Sequence, residues 1–192
     1  STIAVVVPCF NEEKLLPLVI KTLPDIVDRV YIINDFSTDA TAAVANALAQ
    51  ENKKLIVINH ETNQGVGAAI ASGYMAACAD SIDIAVVMAG DAQMDPSDME
   101  ALLDPIVNGR ADYTKGNRLF TGDAWNIIPK VRYIGNALLS LFTKIASGYW
   151  HVADSQCGYT AINKRALNTI QWDHMYARYG QPNDLLVRLN IA

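Results

Sequence analysis

The stretch that decides the fold is IAVVMAGDAQMDP, residues 84–96. It begins with a continuously apolar run, Ile84–Met88, and passes at once into a turn of small and polar residues. A short apolar run of this kind is typical of a strand that is buried on both faces, as in a parallel sheet. In open α/β sheets, ligands bind at the carboxyl ends of such strands. We therefore expect a binding site directly after Met88.

The same alternation of apolar runs and helical segments extends through the first 116 residues. The predicted strands are Ile3–Pro8, Arg29–Ile33, Leu55–Ile58, Ile82–Met88 and Asp112–Lys115. The first predicted helix begins at Asn11, its N-cap. Three more helices are predicted: Ala40–Gln50, capped by Ser37 or Thr38, Gly65–Ala79, and Asp98–Val107, capped by Ser97. Strands that alternate with helices predict a single α/β domain with a doubly wound, mostly parallel sheet.

Composition excludes several classes of protein. The chain has 192 residues, enough for one domain with a full core, and its apolar runs fall short of the roughly 20 residues that span a bilayer. Cys9, Cys78 and Cys157 are odd in number and unclustered, which argues against a disulfide framework or a cysteine-ligated metal. Dense basic patches with interleaved aromatics are missing, so nucleic acid is not an expected partner.

Charge divides the chain into two unlike halves. Residues 1–109 carry five basic and fifteen acidic side chains, whereas residues 110–192 carry ten basic and five acidic ones. The second half either faces an anionic partner, such as a phosphate acceptor or a membrane surface, or has this charge by chance. A helix predicted at 130–147 is apolar on two sides and is therefore either buried or interfacial. The chain stops in an apolar stretch, which suggests a fragment of a longer protein.

Two groups of carboxylates stand near the ends of predicted strands. Asp35 directly follows the second strand, where it can accept hydrogen bonds from a base N–H or ribose hydroxyls, or cap the next helix; the ligand role is favoured. Glu12 and Glu13 lie at the start of a predicted helix, where carboxylates stabilise the helix dipole without any further role.

Asp91 and Gln93 alternate across the turn after the fourth strand, so that their oxygens can face one side. One carboxylate and one amide, completed by diphosphate oxygens and water, match the way in which Mg²⁺ or Mn²⁺ is bound by a few protein ligands. The sequence therefore predicts a Mg²⁺ or Mn²⁺ site here. Asp95 can cap the following helix instead.

Glycines and arginines complete the candidate site. Gly65, Gly67 and Gly73 form only a loose dinucleotide-binding pattern, and close backbone approach is the favoured role for them. Arg118 and Arg132 can clamp a phosphate, or they are ordinary surface arginines. Two further carboxylates are candidates: Asp154 for the pocket or a general base, and Asp184, just before the last helix, for a helix cap or a general base.

Taken together, seven motifs in register resemble family 2 glycosyltransferases with the GT-A fold, a Rossmann-like architecture. The motifs are Pro8–Glu13, Asn34–Asp39, Asn63–Gly73, Gly90–Pro96, Gly116–Arg118, Arg132–Asn136 and Asp154–Tyr159. Within that family they are most similar to the dolichyl- and polyprenyl-phosphate hexosyltransferases. The resemblance implies a catalytic domain over residues 1–192, with a nucleotide-sugar half at 1–116 and an acceptor half at 117–192.

The resemblance also implies a reaction and a set of roles. A hexose would pass with inversion from a nucleotide sugar, of the UDP-glucose or GDP-mannose type, to a lipid phosphate. The implied nucleotide-binding residues are Pro8, Phe10, Glu12, Asp35, Gly90 and Asp91. The implied metal ligands are Asp91 and Gln93. The implied catalytic residues are Asp91, Arg118 and Arg132, the last two on the acceptor phosphate, and Asp154 near the reacting sugar. The domain would act peripherally at the cytoplasmic face of a membrane, anchored by a segment beyond residue 192.

One departure from the family pattern concerns the metal. The family often has Asp-x-Asp where this chain has Ala89-Gly90-Asp91, so one of the usual carboxylates is absent. Two other functions therefore stay open. One is transfer to a sugar hydroxyl in cell-wall or polysaccharide synthesis, which requires a base; the other is a non-catalytic nucleotide-binding module.

Overall fold

The computed structural model describes residues 1–116, 157–178 and 180–191. The predictions that concern Arg118, Arg132, Asp154 and the helix at 130–147 lie outside the described residues.

Strands of the described chain form one six-stranded mixed sheet. They are β1 (Ile3–Cys9), β2 (Arg29–Asn34), β3 (Leu55–Asn59), β4 (Ile84–Val87), β5 (Tyr113–Lys115) and β6 (Thr160–Asn163). Their spatial order is β3-β2-β1-β4-β6-β5. The first four pair in parallel, and β6 runs antiparallel between β4 and β5. The predicted doubly wound, mostly parallel sheet is confirmed, with strand ends shifted by one or two residues.

Helices cover both faces of this sheet. One face carries α1 (Leu16–Thr22), α2 (Thr41–Glu51) and α4 (Met99–Val107), and the other carries α3 (Val66–Ala79), α5 (Lys164–Thr169) and α6 (Gln181–Ile191). Every residue of β1 is buried, which explains its continuous apolar sequence. Its alternate side chains belong to the two separate cores, with Val5 in the first and Val6 in the second.

The predicted N-caps of the first two helices are wrong. Helix α1 begins at Leu16 and α2 at Thr41, and neither has a side-chain cap. Asn11 instead adopts a left-handed φ of 59°, and its Oδ1 accepts a hydrogen bond from the Thr38 backbone N–H at 2.8 Å. Ser37 Oγ in turn accepts from the Asn11 N–H at 3.0 Å. Because β1 and β2 are parallel neighbours, the loops that follow them meet. Each of these polar side chains accepts a hydrogen bond from the backbone of the other loop and does not cap a helix.

The N-cap prediction for α4 is also wrong, because α4 begins at Met99 without a side-chain cap, and Asp95 caps the short 3₁₀ turn before it. Asp95 Oδ1 accepts hydrogen bonds from the Ser97 N–H at 2.9 Å and from Ser97 Oγ at 2.7 Å. This bond begins a 3₁₀ turn at Pro96–Asp98 that leads into α4. A carboxylate at this position satisfies backbone donors that the turn leaves free. The turn fixes where the chain leaves the sheet edge after β4.

Candidate functional site

A cleft of about 680 Å³ lies at the edge of the sheet where β1, β2 and β4 end. The structure brings together here every nucleotide-binding and metal-binding candidate among the described residues. They are Pro8, Phe10, Glu12, Asp35, Gly90, Asp91 and Gln93. Three separate segments of sequence therefore contribute to a single cavity, as expected at the carboxyl edge of a doubly wound sheet. The individual role of each residue stays a prediction.

The Asp35 corner comprises Asp35, His60 and the loop Asn63–Gly65, and its residues Asp35, Asn63 and Gly65 line one wall of the cleft. Asp35 is only 3% exposed. Its Oδ1 accepts from the Gln64 N–H and its Oδ2 from the Gly65 N–H, at 2.8 and 2.7 Å. Asn63 Nδ2 also donates to the Asp35 backbone carbonyl at 3.2 Å. The carboxylate thus ties the loop after β3 to the end of β2, in addition to lining the cleft.

Behind this carboxylate lies His60, which the sequence places at the end of the third strand without giving it a role. Its ring is 6% exposed. Nδ1 lies 2.8 Å from Asp35 Oδ1, and Nε2 lies 2.9 Å from Ser72 Oγ on α3. Both ring nitrogens therefore have polar partners, and the corner connects β2, β3 and α3 through one side chain.

The Asp91 turn, residues Gly90–Gln93, forms the facing wall and is built more openly. Asp91 Oδ1 accepts a single hydrogen bond, from the Gln93 N–H at 3.1 Å. Ala92 takes a left-handed φ of 57°, which reverses the chain. Gly90 donates its N–H to the Pro8 carbonyl at 3.3 Å, and a Cβ at this position would lie 2.8 Å from Cys9 Sγ. Only glycine lets the turn lie this close to β1.

Negative charge is concentrated around the Asp91 turn. Burial, followed by the charges of Glu12, Asp39 and Asp91, raises the pKa of the Cys9 thiol to about 12. Cys9 is therefore a protonated packing residue at neutral pH rather than a nucleophile. Burial, and then the charges of Asp91 and Asp39, also raise the pKa of Glu12. This part of the cleft is suited to a cation or to a group that carries one.

The metal candidates fit an ion that retains outside ligands. Within the described ranges, no three His, Cys, Asp or Glu side chains are grouped so as to hold a metal. Asp91 and Gln93 both line the cleft, while Ala89, also at the cleft, offers only a methyl group. A carboxylate with an amide suits Mg²⁺ or Mn²⁺, which keep water and substrate phosphate oxygens in their coordination shell.

The glycines at the start of α3 allow close approach, as predicted. A Cβ at Gly67 would lie 2.3 Å from the Tyr176 carbonyl. The segment before α6 packs directly on the first turn of α3, where the Ala68 N–H donates to the Ala177 carbonyl at 3.0 Å. The space that the missing side chains leave is filled by backbone, so this turn is not a phosphate cradle of the dinucleotide type.

That packing brings Arg178 to the cleft, a residue that the sequence analysis missed. Among the described residues, Arg178 is the only lysine or arginine that lines the cavity. Its Cγ lies 3.1 Å from the position that a Cβ of Gly65 would occupy, so its stem lies beside the Asp35 corner. Nothing in the local sequence marks it. The signal that could have found it is the pair Gly65 and Gly67, because such glycines indicate that another backbone segment packs against them, here the segment that contains Arg178.

Asp184 lies inside α6 and not before it. Its Oδ2 accepts from the Tyr176 N–H at 2.9 Å and from Arg188 Nε at 3.0 Å, and it does not line the cleft. The carboxylate is occupied by an ion pair and a backbone donor, which leaves it poorly placed to act as a general base.

Comparisons with known proteins agree on one family. The sequence profile described as glycosyl transferase family 2 matches residues 4–171. A UDP-N-acetylglucosamine–dolichyl-phosphate N-acetylglucosaminyltransferase of Methanococcus voltae is 32% identical over 99% of this chain and 82% of its own length. An undecaprenyl-phosphate mannosyltransferase of Micrococcus luteus is 28% identical over 95% of this chain and 75% of its length.

Solved structures show the same architecture. Glucosyl-3-phosphoglycerate synthase of Mycobacterium tuberculosis, in complex with Mn²⁺, UDP and glucosyl-3-phosphoglycerate, superposes with a TM-score of 0.73 at 23% identity. The match covers 96% of this chain and 63% of that one, so the chain spans less than two thirds of that protein. Across the described ranges, no helix has the length and apolar character needed to cross a membrane.

Proposed function

The chain belongs to glycosyl transferase family 2, and on that premise we propose that it transfers a hexose from a nucleotide sugar to a polyprenyl or dolichyl phosphate, with inversion. The observation that carries the proposal is the cleft, which brings the ends of β1, β2 and β4 together around Asp35 and Asp91. The curated relatives named above add support, since both use a polyprenyl-type lipid phosphate. Their sugars differ, so the donor is a matter for experiment.

The donor lies along the cleft in this proposal. Pro8, Phe10, Glu12 and Asp35 hold the base and ribose, and the Asp91 turn holds the diphosphate. Asp91 and Gln93 would hold a Mg²⁺ or Mn²⁺ ion, which would supply positive charge to offset that of the leaving diphosphate. Arg178 is a second cation at the cavity and would act on the same phosphates.

The chemical step needs little proton transfer. A phosphate oxygen of the acceptor attacks the anomeric carbon on the face opposite the diphosphate. The bond between that carbon and the diphosphate oxygen breaks, and the nucleoside diphosphate leaves with the electron pair. Because the acceptor phosphate is already anionic at neutral pH, positioning and electrostatics contribute most of the catalysis. Arg118 and Arg132 are proposed to hold the acceptor, and Asp154 to lie near the sugar.

A donor panel tests this proposal. The protein is incubated with polyprenyl phosphate in detergent, with Mn²⁺ or Mg²⁺, and with UDP-glucose, UDP-N-acetylglucosamine or GDP-mannose in turn. We expect nucleoside diphosphate release that requires the lipid phosphate, together with a glycosylated lipid in the mass spectrum. Absence of release with every donor, despite nucleotide binding, would identify a non-catalytic module instead.

The acceptor class is tested by the arginines. Arg118→Ala and Arg132→Ala should each raise the KM for lipid phosphate by about tenfold or more, because each removes a charge-assisted bond. Donor binding should be unchanged. Transfer to an oligosaccharide but not to lipid phosphate would favour the alternative of polysaccharide synthesis.

Association with a membrane surface belongs to the same proposal, because the acceptor is a lipid. The excess of basic residues in 110–192 supports it. Flotation with vesicles that contain anionic lipid should carry the protein upward, and high salt should release it. Equal recovery with and without vesicles would remove membrane association from the proposal.

A further inference from the structure

We propose that His60 is a positioning residue for nucleoside recognition: it holds the Asp35 carboxylate, and through it the Asn63–Gly65 loop, against the cleft. The inference rests on the proposed function only for the identity of the ligand. His60 lies behind the cavity wall and is not among the residues that line it. Its effect on a ligand must therefore pass through Asp35.

The hydrogen-bond pattern shows which ring nitrogen of His60 donates to Asp35. A carboxylate that already accepts from the Gln64 and Gly65 N–H groups offers only acceptors, so Nδ1 of His60 carries the proton that faces it. Ser72 Oγ is the hydrogen-bond partner of the other ring nitrogen, Nε2. Ser72 lies on α3, whose position is fixed by its packing in the second core. Through His60 and Ser72, the position of the Asp35 carboxylate is thus tied to that of α3.

Acceptor capacity explains why this matters for binding. A carboxylate has about four acceptor directions. Three are taken by His60 Nδ1 and by the two backbone N–H groups, with two of these bonds on Oδ1 and one on Oδ2. One direction at Oδ2 is left for a donor from the cleft, such as a base N–H or a ribose hydroxyl. The three protein bonds fix the orientation in which that last direction is presented.

Two isosteric substitutions separate the two ring contacts. His60→Asn keeps a donor at the δ position and loses the contact with Ser72. His60→Gln keeps a polar group at the ε position and loses the donor to Asp35. His174→Gln is the matched control, because His174 is a solvent-exposed histidine away from the cleft.

The first measurement is made without nucleotide. Amide hydrogen exchange at Gln64 and Gly65 should accelerate about tenfold or more in His60→Gln, because the carboxylate that accepts these N–H groups is no longer held. It should stay within about threefold of wild type in His60→Asn and His174→Gln. Melting temperatures accompany each variant, so that exchange is compared only between folded proteins.

The second measurement is calorimetric binding of UDP and GDP with Mn²⁺ present. For whichever nucleotide wild type binds, the Kd of His60→Gln should rise by about 10- to 100-fold, the usual loss for a bond to a charged group. In turnover the rise should fall on the donor KM with kcat little changed, and His60→Asn should restore most of the loss. A purely structural role would instead lower kcat and melting temperature together.

Two results would overturn the inference: equal exchange and binding in His60→Gln and wild type, or equal damage in His60→Asn and His60→Gln. The second would show that ring packing, and not the Nδ1 bond, is what matters. Failure of wild type to bind any nucleotide overturns the proposed function separately, while the exchange measurement still decides whether His60 holds the loop.

Discussion

The two carboxylates of the cleft are held in opposite ways. Asp35 accepts three protein hydrogen bonds and is almost fully buried, whereas Asp91 accepts one and is partly exposed. A carboxylate held by three bonds keeps its orientation when a ligand arrives, and so it presents its remaining acceptor direction in one fixed geometry. An open one is free to take an ion and the oxygens that come with it. In the proposed function, this difference separates a wall that recognises the nucleoside from a wall that binds the metal ion and the diphosphate.

The largest expected effect comes from breaking the open wall. Asp91→Asn should lower kcat/KM by about a thousandfold, or about 4 kcal/mol. In the proposed function, this carboxylate holds the ion that offsets the charge of the leaving diphosphate. The melting temperature should change by no more than a few degrees, since one exposed backbone bond is lost. Steady-state kinetics and thermal unfolding of the same preparations check both. Activity near the wild-type value would place the metal elsewhere.

Changing the wall that Asp35 holds should reduce stability more than Asp91→Asn does. Asp35→Asn replaces one acceptor oxygen with an NH₂ group, which then faces either the Gly65 N–H, or the Gln64 N–H and His60. We expect the free energy of unfolding to fall by about 2–3 kcal/mol, the cost of losing charge-assisted bonds in a buried place. Urea denaturation measures it. A loss of stability as small as that of Asp91→Asn would show that the two walls are not built differently.

A smaller effect is expected from the loop that Asp35 holds. Gly65 has a φ of 95°, and a Cβ there would lie 2.6 Å from the Ala177 carbonyl. Gly65→Ala should therefore cost about 1–3 kcal/mol of stability through backbone strain and a displaced segment before α6. Gly109→Ala is a useful control, since Gly109 also has a positive φ but has open space around it. Equal losses in both variants would assign the effect to φ alone.

The smallest change sharpens the comparison by adding to the open wall. Ala89→Asp supplies a second carboxylate at the cleft, and it should tighten Mn²⁺ binding by about tenfold in the presence of nucleoside diphosphate. In its absence, the same carboxylate adds to the negative charge that already raises the pKa of Glu12 and should lower the melting temperature slightly. Manganese titration by electron paramagnetic resonance measures the affinity. Unchanged affinity would show that the ion does not approach residue 89.

Periodicity and strand-end chemistry predicted the sheet and the membership of the cleft well. Short apolar runs such as Ile84–Met88 are typical of central strands in an α/β fold. Polar residues that follow parallel strands lie at the same edge of the sheet. The caps were predicted poorly, because Asn11 and Ser37 bond across two loops that are distant in sequence. His60 and Arg178 escaped for the same reason: their significance depends on partners in other segments, and neither position has a local pattern.

The antiparallel strand β6 has a consequence for how such a domain can diversify. Lys115 at the end of β5 and Val87 near the end of β4 both lie opposite Thr160, the first residue of β6. The chain therefore leaves the sheet after β5 and returns before β6 at the same rim, beside the cavity. The segment between β5 and β6 can therefore change in length or sequence at little cost in loop-closure entropy, while the register of the six strands is kept.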